Sequence, residues 1–218
     1  MLSVVIPTMW KYPPFTAVLP FIINHPSVGQ VILINNNEAE APSLPCLDDP
    51  KVTVVTPEKN IYVNPAWNLG VKMASYDKVC IYSDDVIVDL DLFTKADEFL
   101  NTDVGVLGVC PGSAEQNQPA VTTGEIDIVE WPSIPFVSNW GFGSCFFMMR
   151  ENWKEIPEPL KIWYGDYYQW ECSMKEGRKN YLAINVKYYS PQSVTTRSLT
   201  EPVNVDMVED KFYRSIMG

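Results

Sequence analysis

The chain has 218 residues, 46% of them hydrophobic, enough to bury a substantial core and consistent with one domain. Its formal net charge is −11, from 16 Lys and Arg against 27 Asp and Glu, and no basic run or basic helix face occurs. That balance argues against a protein built to grip a phosphate backbone. Five widely spaced cysteines, no C-x-x-C pair and a single histidine, His25, speak against a disulfide framework or a structural zinc site. Free thiols in a reducing compartment are expected.

The opening stretch, MLSVVIPTMW, enters a strand-like run at once, without the basic and long apolar regions of a signal peptide. No apolar stretch reaches bilayer length, so a soluble, cytoplasmic protein without a membrane span is the expectation. Residues 2–6 are an apolar run closed by Pro7, a buried strand that ends at a loop. Residues 14–24 carry Phe15, Val18, Leu19 and Ile22 at helical spacing, and His25 follows as a capping or surface residue. Residues 31–34 and 52–55 form further buried strands, the first stopped by Asn35-Asn36-Asn37. Asn64 is expected to cap a helix, with Pro65 in its first position and Ala66, Leu69, Val71 and Met73 beyond. Residues 79–82 make a fourth strand, followed by Ser83-Asp84-Asp85.

This alternation predicts an α/β fold with a mostly parallel, doubly wound sheet, whose ligands bind beyond the carboxyl ends of the strands. Pro7-Thr8, residues 35–37 and residues 83–85 all fall at such ends. The second half is less regular. Residues 104–109 form another strand, and 111–124 a polar loop, either a lid or a surface excursion. An apolar run at 142–149, an aromatic-rich stretch at 162–170, a late strand at 182–188 and a closing helix at 205–216 follow. No linker or repeat divides the chain, so residues 1–218 are read as one domain.

Asp84 and Asp85 are adjacent carboxylates at a strand end. A pyrophosphate there would be repelled unless a hard cation lay between, and oxygen ligands suit Mg²⁺ or Mn²⁺. The alternative is an acidic turn capping a helix over 89–100. Asp166, in Tyr164-Gly165-Asp166-Tyr167, is either a general base or the acidic start of a helix over 167–176.

Residues 60–89, NIYVNPAWNLGVKMASYDKVCIYSDDVIVD, resemble the nucleotide-binding core of family-2-like glycosyltransferases with the GT-A fold. Asn68 and Gly70 match the family's helix positions, and Asp84-Asp85 match its metal motif. SVVIPT resembles the first strand, GFGSCFFMMR the acceptor-side strand, and WYGDYYQW the Gly-Glu/Asp-Asp segment. The resemblance implies a GT-A sheet flanked by helices, with a nucleotide-sugar half over 1–100 and an acceptor half over 101–218. Asp85 would be the principal ligand of Mn²⁺ or Mg²⁺, with Asp84 assisting through ribose or a metal-bound water. Pro7, Thr8 and Asn36 would frame the nucleoside, Asn68 would serve the donor site and Asp166 would deprotonate the acceptor. Arg197 would close over the diphosphate or stand as a solvated surface residue.

Three departures from the family pattern matter. Asn35-Asn36-Asn37 replaces an Asp that reads the nucleobase, although an amide still matches a uracil edge. Trp67 stands where many members have Arg. YYSPQSVTTRS supplies no histidine to the metal. The resemblance implies hexosyl or pentosyl transfer from a UDP-sugar to a hydroxyl of a glycan or small acceptor. Similar small transferases occur in viruses and phages, so modified bases of viral DNA are an alternative acceptor, against which the acidic charge weighs. A non-catalytic nucleotide-sugar-binding module is a further alternative. A nucleotidyltransferase would want a glycine-rich basic loop, and the loop at residues 7–11 has no glycine.

Overall fold

The computed structural model describes residues 1–37, 41–109, 124–133, 142–190 and 202–218, the last with side chains from Met207 onward. In chain order the elements are β1 (Leu2–Thr8), α1 (Pro13–Ile23), β2 (Val28–Asn35), β3 (Val52–Val55), α2 (Val63–Met73), β4 (Lys78–Tyr82) and β5 (Ile87–Val88). Then come α3 (Asp91–Phe99), β6 (Val104–Val109), β7 (Asp127–Glu130), β8 (Cys145–Met149), α4 (Gly165–Lys175), β9 (Lys179–Ile184), β10 (Tyr188–Tyr189) and α5 (Pro202–Met217).

One sheet of eight strands runs β3-β2-β1-β4-β8-β6-β9-β7. β1 pairs in parallel with β2 and β4, as do β2 with β3 and β6 with β9. β8 lies antiparallel between β4 and β6, and β7 antiparallel on β9. The fold is the expected mixed, mostly parallel α/β sheet flanked by helices. A separate antiparallel ribbon joins β5 to β10.

β1 is buried along its whole length because helices cover both faces of the sheet, which is why it reads as an unbroken apolar run. Its side chains still alternate. Leu2, Val4 and Ile6 pack with Phe15, Leu19 and Phe93 from α1 and α3. Val5 faces the opposite layer, with Ala66, Trp67 and Val71 of α2 and Trp170 of α4. A Cβ at Gly70 would collide with Val5, so glycine is what lets α2 lie close against β1.

Several expectations are corrected. Asn64 is not the cap of α2 but sits inside its first turn. Tyr62 holds the cap position at φ 66°, ψ −175°, with no side-chain cap bond. The Asn64 amide is turned away to take distant carbonyls: its Nδ2 donates to Leu160 O at 3.3 Å and Trp163 O at 2.9 Å. The late strand is split into β9 and β10 by Asn185, whose φ of 58° breaks the extended run. The apolar run at 142–149 begins with a 3₁₀ turn, Phe142–Ser144, before β8. β7, a short strand with Asp127 and Glu130 at its ends, was not anticipated, because a polar edge strand carries little hydrophobic signal. Most of the 111–124 loop, and Arg197, lie outside the described residues. No helix among the described residues is long and apolar enough to cross a membrane.

Candidate functional site

From β1 the chain steps outward to β2 and β3, then returns across β1 to β4 on its other side. A crevice must open where that direction reverses, beyond the carboxyl ends of β1 and β4. A cleft is found there. Pro7, Thr8 and Met9 line it from β1, Asn36 from β2, and Ser83, Asp84 and Asp85 from the loop after β4. Tyr62 and Trp67 close it from α2, and Ile162 enters from the segment just before α4. The expectation that three strand-end loops face one crevice describes this arrangement.

The two aspartates differ. Asp84 is only 6% exposed. Its Oδ2 accepts the Thr8 hydroxyl at 2.6 Å and the Met9 N–H at 3.3 Å, which staples the β1 loop to the β4 loop. Burial pushes its carboxyl up to about 6; the Thr8 hydroxyl opposes that rise and the Asp85 charge adds to it. Asp85 is half-buried and lines the cleft. Its charge is felt by two phenols. Tyr12 is raised by burial, then by Tyr189 and Asp85, and Tyr188 is raised by burial and, more weakly, by Asp85. Asp84 is thus a carboxylate held in place by Thr8 and Met9, and Asp85 is the more exposed of the two on the cleft wall.

Asn36 lines the cleft, but its side chain is engaged in building it. Oδ1 accepts Ile61 N–H at 3.3 Å, Nδ2 donates to Tyr62 O at 3.1 Å, and the backbone N–H donates to Thr8 O at 2.8 Å. Asn37 Nδ2 donates to Met9 O at 3.3 Å, and Asn35 Nδ2 to Thr56 Oγ1 at 3.2 Å. The triplet therefore ties three loops together.

Asn68 is not among the residues lining the cleft. Its Nδ2 donates to Ile156 O at 2.9 Å, while Oδ1 accepts Trp153 Nε1–H at 3.1 Å and Ile156 N–H at 3.0 Å. It fastens the 153–156 segment to α2.

Asp166 stands in the first turn of α4, outside the cleft lining. Oδ2 accepts Gly143 N–H at 3.1 Å and Oδ1 accepts Tyr167 N–H at 2.9 Å. Burial raises its carboxyl, and these backbone bonds hold the rise in check. His25 packs its ring 5.5 Å from Phe93, and its Nδ1 accepts Ser27 N–H at 3.2 Å.

Sequence reasoning passed over Tyr62, Asn60, Val63 and Ile162, all of which line the cleft. Tyr62 has a backbone conformation that favours glycine, so no local propensity could announce it. It is imposed from outside by Asn36 on its carbonyl and by Asn60 Oδ1, which accepts its N–H at 2.8 Å. Lys161 Nζ lies 5.5 Å from the centre of its ring.

The eight-stranded mixed sheet and its flanking helices have the GT-A fold. Among solved structures, it is similar to residues 1–349 of TarS from S. aureus, with a TM-score of 0.60 and 14% identity, over 97% of this chain and 70% of that one. The same protein in complex with UDP-GlcNAc gives a TM-score of 0.57 and 13% identity, over 97% of this chain and 71% of that one. GalNAc-T7 with UDP, GalNAc and Mn²⁺ gives a TM-score of 0.60 and 13% identity, over 98% of this chain and 50% of that one. No protein-family model and no curated protein sequence matches the chain.

Proposed function

We propose that the chain is a metal-dependent glycosyltransferase that takes a hexosyl or pentosyl group from a UDP-sugar and passes it to a hydroxyl of a glycan or small acceptor. The observation that carries this reading is the pair Asp84–Asp85 in the crevice between β1 and β4, one stapled to Thr8 and Met9 and the other lining the cleft. The complexes of the similar structures, UDP-GlcNAc with TarS and UDP, GalNAc and Mn²⁺ with GalNAc-T7, support it.

The donor set suits Mn²⁺ or Mg²⁺, since both side chains offer hard carboxylate oxygens. Among the described residues no group of three His, Cys, Asp or Glu side chains converges on a metal position. Asp85, with Asp84 behind it, would therefore hold the cation with help from nucleotide oxygens and water. Such a cation offsets the charge that develops on a departing diphosphate. Pro7, Thr8 and the Asn36-supported loop frame the nucleoside. Asp166 takes the proton of the acceptor hydroxyl, and its burial favours that proton's uptake.

A donor screen reading UDP release, with Mn²⁺ and after chelation, tests the proposal. Metal-dependent release from at least one UDP-sugar supports it. Tight UDP binding with no release from any donor favours the non-catalytic nucleotide-sugar-binding module, a reading suggested by the prior engagement of both Asp166 oxygens.

A further inference from the structure

Residues 160–164 form a strap that brings Ile162 to the cleft and runs straight into α4 and Asp166. Two helices hold it, and they hold different atoms. α2 takes its carbonyls: Asn64 N–H donates to Lys161 O at 2.9 Å, and the Asn64 side chain donates to Leu160 O and Trp163 O. α5 takes its amides. Glu209 Oε1 accepts Ile162 N–H at 3.1 Å, while Oε2 accepts Ile162 N–H at 3.2 Å and Trp163 N–H at 2.7 Å. The next residue of α5, Asp210, accepts the Tyr164 hydroxyl at 3.1 Å.

Two features of this strap cost free energy and would be unnecessary in a simple connector. Glu209 is a carboxylate only 1% exposed, and burial of such a group is tolerated only against well-aimed donors. Tyr164 has a φ of 63°, a left-handed conformation in a residue with a bulky side chain. Gly165 then supplies the missing volume, since a Cβ there would run into the Asn64 amide and the Trp67 ring. The strap is thereby set against the donor-side helix at the point where the acceptor-side helix begins.

We infer that Glu209 is a positioning residue for sugar transfer: by holding the Ile162 and Trp163 amides, it fixes where α4 starts and so where Asp166 stands relative to the donor. This rests on the glycosyltransferase reading of the cleft. The donor half is held by β1, β4 and α2, and the Asn64 bonds keep the strap's first residues on α2 without Glu209. Loss of the carboxylate should therefore act on turnover more than on nucleotide binding.

The test compares Glu209→Gln with Tyr213→Phe. Tyr213 donates its hydroxyl to Glu171 Oε1 at 2.5 Å, so loss of that hydroxyl loosens α5 on α4, while the phenylalanine ring keeps the stack that Tyr213 makes on Tyr164 of the strap, 4.9 Å between ring centres. Three quantities are read in each: the thermal midpoint, the affinity for UDP with Mn²⁺, and kcat for UDP release from the donor that the wild type uses. Glu209→Gln is expected to lower kcat about tenfold or more, with UDP affinity within about threefold, because small misplacements of reacting groups weigh heavily on rate. Tyr213→Phe is expected to lower kcat less than about twofold at a comparable loss of midpoint. If Glu209→Gln does not fold, Glu209→Asp, which keeps the charge but falls one methylene short, must show the same split. Equal kcat losses in the two variants, or a fall in UDP affinity as large as the fall in kcat, would overturn the inference. A wild type that releases no UDP from any donor sinks the reading of the cleft instead, before the variants are compared.

Discussion

The first and second halves of the chain each hold a carboxylate with a raised pKa, Asp84 and Asp166, but they fix it by different means. Asp84 follows β4, and the hydroxyl that holds it belongs to Thr8, the last residue of β1; the two strands run side by side in parallel register, from Leu2 beside Lys78 to Val5 beside Ile81. The strand-end geometry brings Thr8 and Asp84 together with little further help. Asp166 has no such frame. Its place depends on Gly143 and on a strap gripped by Asn64 and Glu209, partners almost 100 and almost 50 residues away in sequence. The proposed donor site is thus a product of topology, whereas the proposed acceptor site is a product of a polar network. Disturbances of the first should show in metal and nucleotide binding, and disturbances of the second in turnover.

The largest expected effect is on the donor side. Asp85→Ala removes the more exposed of the two cleft carboxylates, and metal-dependent UDP release should fall by roughly 10³-fold, with circular dichroism and thermal midpoint unchanged. Unchanged turnover would remove Asp85 from the metal site. Asp166→Asn should lower kcat by about 10²-fold and leave UDP affinity within about threefold, the behaviour of a group that acts on the acceptor proton. A fall in UDP affinity of the same size would merge the two sites and erase the contrast.

The smallest effect reverses sign. The folded state holds the Asp84 proton up to about pH 6, against 3.8 for the ordinary carboxyl. Between those values the folded chain binds a proton that the unfolded chain has released. The group's contribution to stability is therefore full below pH 3.8, declines as pH rises through about 6, and is flat above. Asp84→Asn should remove that slope and raise the midpoint at pH 7 by about 2–4 °C, the equivalent of about 1 kcal/mol in a chain of this size. It should do so while lowering metal-dependent turnover. A variant that is less stable at pH 7 would show that the ionised carboxylate is needed as an acceptor for Thr8 and Met9.

What could be read from the sequence follows the same division. β1, β2, β4 and β6 were legible because strands covered on both faces must be apolar throughout, and Ser83-Asp84-Asp85 was legible because it interrupts such a run; β3, expected as a buried strand, lies at the sheet edge with Val54 exposed. The direction of β8 was not, since an apolar strand looks alike in either orientation. The local pattern at Asn64 is that of a helix cap, yet its amide is used by carbonyls almost 100 residues away. The family resemblance implies a donor-site role for Asn68, whereas its side chain holds Trp153 and Ile156. Tyr62 and Glu209 were invisible for one reason: each owes its role to partners that only the folded chain brings near. Local pattern reports burial and periodicity, and it does not report which distant backbone atom an amide or a carboxylate will meet.

The central claim is that Asp85 and a divalent cation together hold a nucleotide diphosphate in the β1–β4 crevice. Calorimetric titration of UDP into the wild type and into Asp85→Ala, each with Mn²⁺ and with a chelator, tests it most directly. The account predicts binding by the wild type with Mn²⁺, and strong weakening both under chelation and in the variant. UDP binding of equal affinity in all four titrations would contradict it.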